Sequence, residues 1–546
     1  MREPILMLYN GTIHTLNPAQ PHAQAMAIRG ERIVAIGTYG QVLAASVGAP
    51  REVLDLRGRT VLPGLTDSHA HITWYGLQLQ QVQLAGVRSL AAALDLVAAR
   101  ASQLPPDAWI EGGGWNQSEW PDCPDLPTRA MLDQVSPQHP VFLIRKDGHS
   151  AWVNSRALEL ANITAITPDP SDGQIMRDAA GEPTGILLEN AQALVRRVIG
   201  DPSASVRLHA LQQALTEALS YGITSLHIPA GPRTTDGAET LSDLHTLHMQ
   251  GVLPVRCLTY ASASELDAMI ALGLRSGIGD AWLRIGGLKI FADGSLGSLT
   301  ADMLKPYAGT KQRGIAMYSA AALTEMITRA NLHGISVAVH AIGDAANRKV
   351  LNALAHAADA RESQSALPPL ALPNRIEHVQ LLHPDDLPRL AQLGVLASMQ
   401  PLHATADMLL AEQLWGTRSR FAYALRSIWE SGATVLLGSD APIETLNVWH
   451  GIHAAVTRQR IDGSPPGGWY PAQCLTLAQT LQGYCINPAR ASGETHQKGM
   501  LKVGMLADLT VLPADPFRCA THELHKLYAD LTFVGGRVAW RRASTD

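Results

Sequence analysis

The sequence predicts an α/β protein: a (β/α)8 TIM barrel with a β-sandwich domain built from both chain ends and a long insertion after the first barrel strand. Three observations predict this fold. Eight apolar, strand-like runs recur between residues 61 and 438, with helical patterns between several of them. Both ends of the chain alternate short strand patterns with turn signals. Residues suited to metal binding follow several of the barrel strands.

The two ends of the chain have the pattern of short strands. Within the first 60 residues, runs such as 5–9 and 32–37 are separated by turn signals such as Asn10-Gly11. The same alternation returns in 504–512 and 531–539. We therefore expect residues 1–60 and 491–546 to form one β-sandwich domain.

Strands and helices alternate between residues 61 and 490, which we expect to form the barrel. Apolar residues at helical spacing over 205–220 precede a strand pattern at 223–228. The predicted strands are, in order, 61–68, 223–228, 255–260, 287–292, 336–340, 375–379, 395–399 and 434–438. Residues 105–200 are too many for a simple connection between the first two strands, so we expect an inserted lid subdomain over the barrel mouth.

Composition restricts the partners and the compartment. The formal net charge is −5, charged residues make up 17% of the chain, and no basic run occurs. These features argue against nucleic acid or a membrane surface as a binding partner and favour a small-molecule substrate. The five cysteines are scattered, so neither a disulfide framework nor a thiolate zinc site is indicated. Without a signal-peptide pattern or a membrane-spanning apolar run, we expect a cytoplasmic protein, and homo-oligomerisation stays open.

Residues at the ends of the predicted barrel strands could bind metal. His69 and His71 end the first strand, and side chains at i and i+2 of a strand point to the same face. Active sites of such barrels lie at the C-terminal strand ends. The candidate ligands there are His69, His71, Lys289, His340, His378 and Asp440. All but the lysine are ordinary zinc ligands; unrelated structural histidines are the alternative.

Several motifs also carry a family resemblance. The chain resembles the amidohydrolase superfamily, and within it amidohydrolase family 3, the YtcJ-like and N-substituted formamide deformylase-like proteins. The resemblance covers nearly the whole chain. The motifs that carry it are LPGLTDSHAH (62–71), KIFADGSLG (289–297), HAIGD (340–344), RIEH (375–378), GSD (438–440) and GMLKVGMLADL (499–509).

The resemblance implies a site with two divalent metal ions. His69, His71 and Asp440 would hold the more buried ion. His340 and His378 would hold the more exposed one. We expect zinc, with manganese, iron or cobalt as alternatives.

Lys289 would bridge the two ions as a carbamate derived from carbon dioxide. Burial beside cations disfavours the ammonium form, and the neutral amine can form a carbamate. Pairing of Lys289 with Asp293 or Glu189 is the alternative interpretation. Glu189 is also a rival bridging carboxylate.

The implied function is a metal-dependent hydrolase. It would cleave a non-peptide C–N bond, in an amide, formamide or carbamate of a small hydrophobic substrate, with a metal-activated hydroxide. Asp440 would be the catalytic residue that passes a proton from this water to the departing amine, unless it only caps a turn. The alternatives are a mononuclear deaminase or cyclic-amide hydrolase of the same superfamily, and a non-catalytic scaffold.

Further residues are candidates for contacting the substrate or orienting the ligands. The candidate substrate contacts are Trp115, Arg145, His149, Glu189 and His227. Five tryptophans, which favour flat or apolar ligands, could line the mouth or instead pack in the core: Trp74, Trp115, Trp120, Trp152 and Trp415. The candidates for orienting the imidazoles are Asp67, Asp344, Glu377 and Ser439.

Overall fold

The computed structural model describes residues 4–47, 51–84, 86–117, 120–123, 125–145, 150–170, 173–231, 236–297, 299–364 and 366–543. His149, one of the predicted substrate contacts, lies outside these residues. The chain divides into two compact units. The first contains Met1–Tyr75 and Leu211–Asp546, and the second is Gly76–Ala210.

Eight parallel strands form the central sheet of the first unit. They are β1 (Leu65–Asp67), β2 (Ile223–Pro229), β3 (Arg256–Ser262), β4 (Leu283–Phe291), β5 (Val337–Ala341), β6 (Arg375–His378), β7 (Leu396–Met399) and β8 (Val435–Leu437), in this order across the sheet. Each overlaps a predicted strand. Their residues are mostly buried, which suits a parallel sheet covered on both faces.

Hydrogen bonds close the sheet between β1 and β8. Ser68 N donates to Leu437 O at 3.1 Å, and just beyond the strands His71 N donates to Ala441 O at 2.8 Å. Asp440 N donates to His69 O at 2.7 Å. The predicted TIM barrel is therefore confirmed, and the segments after β1 and β8 lie side by side.

Helices follow most of the barrel strands. Ser319, for example, begins a helix because its side chain accepts a hydrogen bond from Ala322 N at 3.2 Å. The α-helices of the chain are Tyr39–Ala45, Ile72–Leu79, Leu90–Ala101, Arg129–Val135, Ser155–Leu160, Ala193–Ile199, Ala204–Ser220, Ala238–Met249, Leu266–Ala271, Ala320–Leu332, Asp344–Glu362, Leu387–Gln392, Pro401–Trp415, Leu425–Glu430, Val448–Thr457, Leu477–Tyr484 and Ile486–Ala491. Short 3-10 helices are Asn190–Gln192, Ala263–Glu265, Pro384–Asp386, Gly416–Phe421, Pro471–Gln473 and Thr521–Lys526. Among the described helices, none is long and apolar enough to cross a membrane.

Two further sheets of the first unit come from the chain ends. A four-stranded sheet has the order Arg32–Gly37, Ala25–Arg29, Ile5–Tyr9, Arg51–Asp55. A six-stranded sheet has the order Arg537–Arg541, Leu531–Val534, Leu509–Leu512, Thr60–Pro63, Thr12–His14, His22–Ala23. Buried apolar residues of both sheets, such as Leu8, Ile28, Leu509 and Phe533, share one core. The predicted sandwich thus contains strands from both ends of the chain.

The second unit has its own sheet and its own core. Six strands occur in the order Gly173–Arg177, Pro183–Glu189, Ser150–Val153, Val141–Arg145, Ile110–Trp115, Val82–Gln83. The predicted insertion at 105–200 lies within this longer unit.

Candidate metal centre

Six side chains converge at the C-terminal end of the barrel. His69 and His71 follow β1, Lys289 lies near the end of β4, His340 lies in β5, His378 ends β6 and Asp440 follows β8. The ring centroids of His69 and His378 are 4.9 Å apart, and those of His340 and His378 are 4.5 Å apart. Because the strands are parallel, their C-terminal ends meet in one place. The structure therefore brings the six predicted ligands together.

The donor atoms at the centre are close enough to share an ion. One ligand atom each from His69, His378 and Asp440 lie within 4.8 Å of one another. Asp440 Oδ1 is 3.3 Å from His69 Nε2 and 3.4 Å from His71 Nε2. Among the described residues, the buried atoms His69 Nε2 and Lys289 Nζ have no hydrogen-bond partner. Such atoms are costly unless they bind something, so the donor set fits a divalent cation.

The outer nitrogens of two histidines are held by side-chain oxygens. His69 Nδ1 donates to Glu377 Oε2 at 2.5 Å, and His378 Nδ1 donates to Gln400 Oε1 at 2.8 Å. Both contacts leave Nε2 for the centre, an arrangement that orients metal-binding imidazoles. Burial would raise the pKa of Glu377, but Arg375 and His69 hold it well below its usual range. Glu377 thus stays a carboxylate.

Lys289 is buried beside these histidines. Its Nζ lies 4.8 Å from the centroid of the Phe291 ring. Burial lowers the pKa of Lys289 to about 8, which favours the neutral amine more than in water. The alternative partner Asp293 instead accepts hydrogen bonds from the backbone N–H groups of Ile342 at 3.0 Å and Gly343 at 2.8 Å.

His340 and His71 also have neighbours outside the centre. His340 Nε2 donates to Gly294 O at 2.9 Å, which leaves its Nδ1 available. Burial, followed by the nearby Lys289 charge, lowers the pKa of His340 to about 3. His71 Nδ1 is 4.0 Å from Asp236 Oδ2. His340 is thus suited to bind a cation in the neutral form.

The segment 438–440 places the Asp440 carboxylate at the centre. Asp440 has a φ of 59°, in the left-handed region, and its carboxylate faces His69 and His71. Burial would raise the pKa of Asp440, but His69 and the other histidines hold it well below its usual range. Asp67 Oδ1 accepts from His69 N and Ser439 N, each at 3.0 Å, and so ties the β1 and β8 segments together.

Two other predicted orienting residues do not reach an imidazole. Asp344 Oδ1 accepts from Leu304 N at 2.8 Å. Ser439 Oγ accepts from Ala441 N at 3.0 Å. Both contacts are with the backbone, so these two side chains stabilise loops rather than ligands.

A cavity of 620 Å³ opens directly beside the centre. Its apolar lining consists of Trp74, Phe291, Leu296, Met317, Ile342 and Ile443. Polar residues that the sequence analysis did not select also line it: Gln380, His403, Asp407 and Glu444. His403 lies four residues after the end of β7, so a search for ligand-type residues past that strand would have found it. The cavity suits a small, largely apolar ligand.

Comparison with known proteins agrees with this geometry. A model of the Amidohydrolase family matches residues 52–539. The chain belongs to this family. The predicted family resemblance is therefore confirmed, and this amidohydrolase is an enzyme by family.

Three relatives show how far the similarity extends. The amidohydrolase is 34% identical over 543 residues to Protein LONG AFTER FAR-RED 3 of Arabidopsis thaliana, covering 97% of this chain and 91% of that protein. It is 30% identical over 557 residues to N-substituted formamide deformylase of Arthrobacter pascens, covering 99% of each chain. A crystal structure described as an uncharacterized metal-dependent hydrolase from Pyrococcus furiosus superposes with a TM-score of 0.76 at 29% identity, covering 94% of this chain and 100% of that one.

Some predicted substrate contacts are buried elsewhere. Trp115 packs against Trp120 and Trp152 in the core of the Gly76–Ala210 unit, with ring centroids 6.3 and 6.1 Å apart, and its Nε1 donates to Leu143 O. Trp115 is fully buried in this core, and its contact with substrate stays a prediction. Trp415 is likewise buried, against Tyr423. Of the five tryptophans, Trp74 alone is in the cavity lining.

His227 lies inside the barrel. It lies within β2, is buried, and its Nδ1 accepts from Arg375 Nη1 at 3.0 Å. His227 is absent from the cavity lining. The side chain faces Arg375 in the barrel interior, and its contact with substrate stays a prediction.

Arg145 and Glu189 belong to the Gly76–Ala210 unit. Arg145 Nε donates to Gln117 Oε1 at 3.2 Å, and its guanidinium lies 5.8 Å from the Trp115 ring centroid. Glu189 ends the strand Pro183–Glu189 and is exposed. Their contact with substrate stays a prediction.

Proposed function

We propose that this amidohydrolase hydrolyses a C–N bond other than a peptide bond in a small N-substituted amide, formamide or carbamate with an apolar substituent. The observation that carries the proposal is the buried histidine and carboxylate donor set beside a mostly apolar cavity. The similarity to N-substituted formamide deformylase over 99% of the chain supports the choice of bond.

We assign the metal-binding roles as the family resemblance implies. His69, His71 and Asp440 would hold one ion, and His340 and His378 a second. Lys289, as a carbamate, would bridge them; its burial without a hydrogen-bond partner among the described residues supports this role. We propose zinc, with manganese, iron or cobalt as alternatives. Bound ions supply Lewis-acid chemistry, which acidifies water and polarises a carbonyl group.

Asp440 would transfer the proton. Its carboxylate lies at the centre, next to His69 and His71, where it could accept a proton from the attacking water. It then returns this proton to the nitrogen of the departing amine, which is a poor leaving group until it is protonated. Asp440 also lines the cavity in which the substrate would bind.

The cavity walls would select the substituent. Trp74, Phe291 and Leu296 offer aromatic and aliphatic surface, and Met317 and Ile443 are partly exposed at 50% and 56%. A substituent that covers these side chains gains free energy from apolar burial. We expect sugars and charged peptides to gain less there, because they have little apolar surface to bury.

A substrate panel tests the proposal, with amine release as the readout. We expect arylalkyl formamides and N-acyl arylamines to be hydrolysed faster than acetylated amino sugars and dipeptides. Asp440→Asn serves as the inactive control for contaminating hydrolases. A clear preference for the polar substrates would overturn the substrate class, and no hydrolysis of any member by metal-loaded protein would overturn the reaction.

A further inference from the structure

We propose that Glu444 is a specificity-determining residue of this site, whose carboxylate binds a positively charged group on the substituent of the substrate. This rests on the proposed function and narrows it. The substrate would be an N-substituted amide or formamide whose apolar substituent ends in an ammonium or amidinium group. Asp407, which also lines the cavity, would add a second negative charge near Glu444. Neither of these two carboxylates takes part in the bond cleavage.

Glu444 lies on the loop that carries Asp440. Ile443 N donates to Asp440 O at 2.8 Å, and this turn brings the chain to Glu444, four residues after Asp440. Glu444 is half-buried and lines the same cavity as Asp440. A substrate held at the Asp440 carboxylate therefore has the Glu444 loop beside it.

The charged residues of the cavity lining fall into two groups. One group, Lys289 and Asp440 with the histidines, belongs to the metal centre, and buried Asp293 binds backbone N–H groups. The other group consists of Asp407 and Glu444. Among the described residues that line the cavity, Lys289 is the one lysine, and no arginine is present. This part of the wall is thus negative, and it attracts a positive group more than a neutral or negative one.

The Glu444 carboxylate has no hydrogen bond to offset its burial. Burial raises the pKa of Glu444 above its usual value, and His403 opposes that effect only in part. The negative charges of Asp407 and Asp440 raise it further, and no hydrogen bond from the described residues lowers it. Asp407, by contrast, accepts a hydrogen bond from the Tyr423 hydroxyl at 2.6 Å. A cation beside Glu444 would stabilise its carboxylate and supply the missing partner.

The cavity has independent features of a ligand site. Lys289 Nζ and His403 Nε2 have no hydrogen-bond partner among the described residues, although these side chains are only 1% and 6% exposed and line the cavity. Unpaired polar atoms at this depth are costly unless a ligand reaches them. Trp74 and Phe291 offer apolar surface for an aryl or alkyl spacer. A substituent with such a spacer and a cationic end matches both the apolar and the negative walls.

Three formamides of similar shape test the proposal. The cationic substrate is para-(aminomethyl)benzylformamide, and para-ethylbenzylformamide is its neutral isostere. The anionic substrate is para-carboxybenzylformamide. The readout is kcat/KM from formate release, because the cationic substrate already contains an amine.

Two variants change the charge of Glu444. Glu444→Gln keeps the size of the side chain and removes its charge, and Glu444→Lys reverses the charge. Glu325→Gln, at an exposed position of the helix Ala320–Leu332, is the matched control. Metal content and thermal unfolding of each variant show whether the centre and the fold are retained.

The expected result is a change in the ratio between substrates. For the wild type we expect kcat/KM for the cationic formamide to exceed that for the neutral one by about tenfold, a modest value for a charged hydrogen bond at a half-exposed site. Glu444→Gln should remove most of this preference, and Glu325→Gln should keep it. Glu444→Lys should place the anionic formamide ahead of the cationic one.

Several results would overturn the proposal. A wild type that prefers the neutral or the anionic formamide would do so, as would an unchanged preference in Glu444→Gln. If Glu444→Gln slows the cationic and neutral formamides equally, Glu444 contacts the amide group that they share, and the assignment to a cation fails. If Glu444→Lys does not fold, Glu444→Gln carries the test because it preserves the volume of the side chain.

Binding of benzamidine separates this proposal from the proposed function. Benzamidine is an aryl cation without a hydrolysable formamide, and its Kd is measured by calorimetry. If the wild type hydrolyses none of the formamides but binds benzamidine about tenfold more tightly than Glu444→Gln does, the reaction is wrong and the cation site stands. If the wild type hydrolyses them without a cationic preference and both proteins bind benzamidine equally, the Glu444 proposal alone fails. No hydrolysis together with equal binding overturns both.

Discussion

Replacing Glu377 by alanine should destabilise the barrel and weaken its metal centre together. Glu377 is fully buried and accepts hydrogen bonds from His69 Nδ1 and from Arg375 Nε. Arg375 is itself fully buried, with Ser68 O at 3.0 Å from its Nη2. Removing the carboxylate leaves this guanidinium without its counter-charge.

The expected cost follows from these contacts. Breaking a buried ion pair by removing one partner costs about 3–5 kcal/mol. Loss of the residue that orients a metal-binding histidine weakens metal affinity about 10–100-fold. Glu377→Gln keeps the volume of the side chain. However, His69 Nδ1 and Arg375 Nε both donate to this side chain, and the new NH₂ group would face one of these donors. It should therefore destabilise the protein nearly as much.

The assay compares unfolding and metal affinity. Denaturant unfolding of chelator-treated protein reports the stability without metal, and a competition titration with a zinc indicator reports the affinity. Glu325→Gln, an exposed residue of the helix Ala320–Leu332, is the control. A chelated Glu377→Ala protein whose free energy of unfolding lies within about 1 kcal/mol of the wild-type value would contradict this prediction, because a lost buried ion pair costs more than that.

The remaining predictions concern a bridging lysine, a proton carrier and a distant ion pair. Lys289→Ala should lose one or both metals and its activity, and short carboxylic acids should partly restore both; full activity without rescue would exclude the bridging role. Asp440→Asn should keep metal better than His69→Ala in elemental analysis, because it retains an oxygen ligand, yet be nearly inactive; near wild-type turnover would exclude the proton transfer. Asp508→Ala should lower the free energy of unfolding by about 3–5 kcal/mol, because it leaves buried Arg256, now 2.7 Å from Asp508 Oδ2, without its counter-charge. Unchanged denaturant unfolding of that variant would contradict the last prediction.

The barrel and the convergence of the six ligand-type residues could be predicted from the sequence for one reason. Parallel strands buried on both faces are continuous apolar runs, so their ends are visible, and the fold brings those ends together. His69, His340 and Asp440 therefore follow from chain position alone. The match between predicted and observed strands extends to all eight.

The cavity lining could not be predicted in the same way. Trp115 and Trp74 are the same residue type in neighbouring segments, yet one packs in a core and the other lines the cavity. That difference depends on tertiary packing, which local periodicity does not record. His403 was missed because it lies past its strand, within a helix. The sequence places His227 in a strand, but it does not show that the side chain faces Arg375 in the barrel interior.

The metal content of the purified protein shows whether the barrel holds a two-metal centre. Elemental analysis of protein purified with zinc, and with manganese, iron or cobalt in turn, gives the number of ions per chain. We predict about two divalent ions per chain, lost on chelation together with the activity and restored with it. Protein that binds no divalent ion, while folding normally and keeping its activity in chelator, would contradict it.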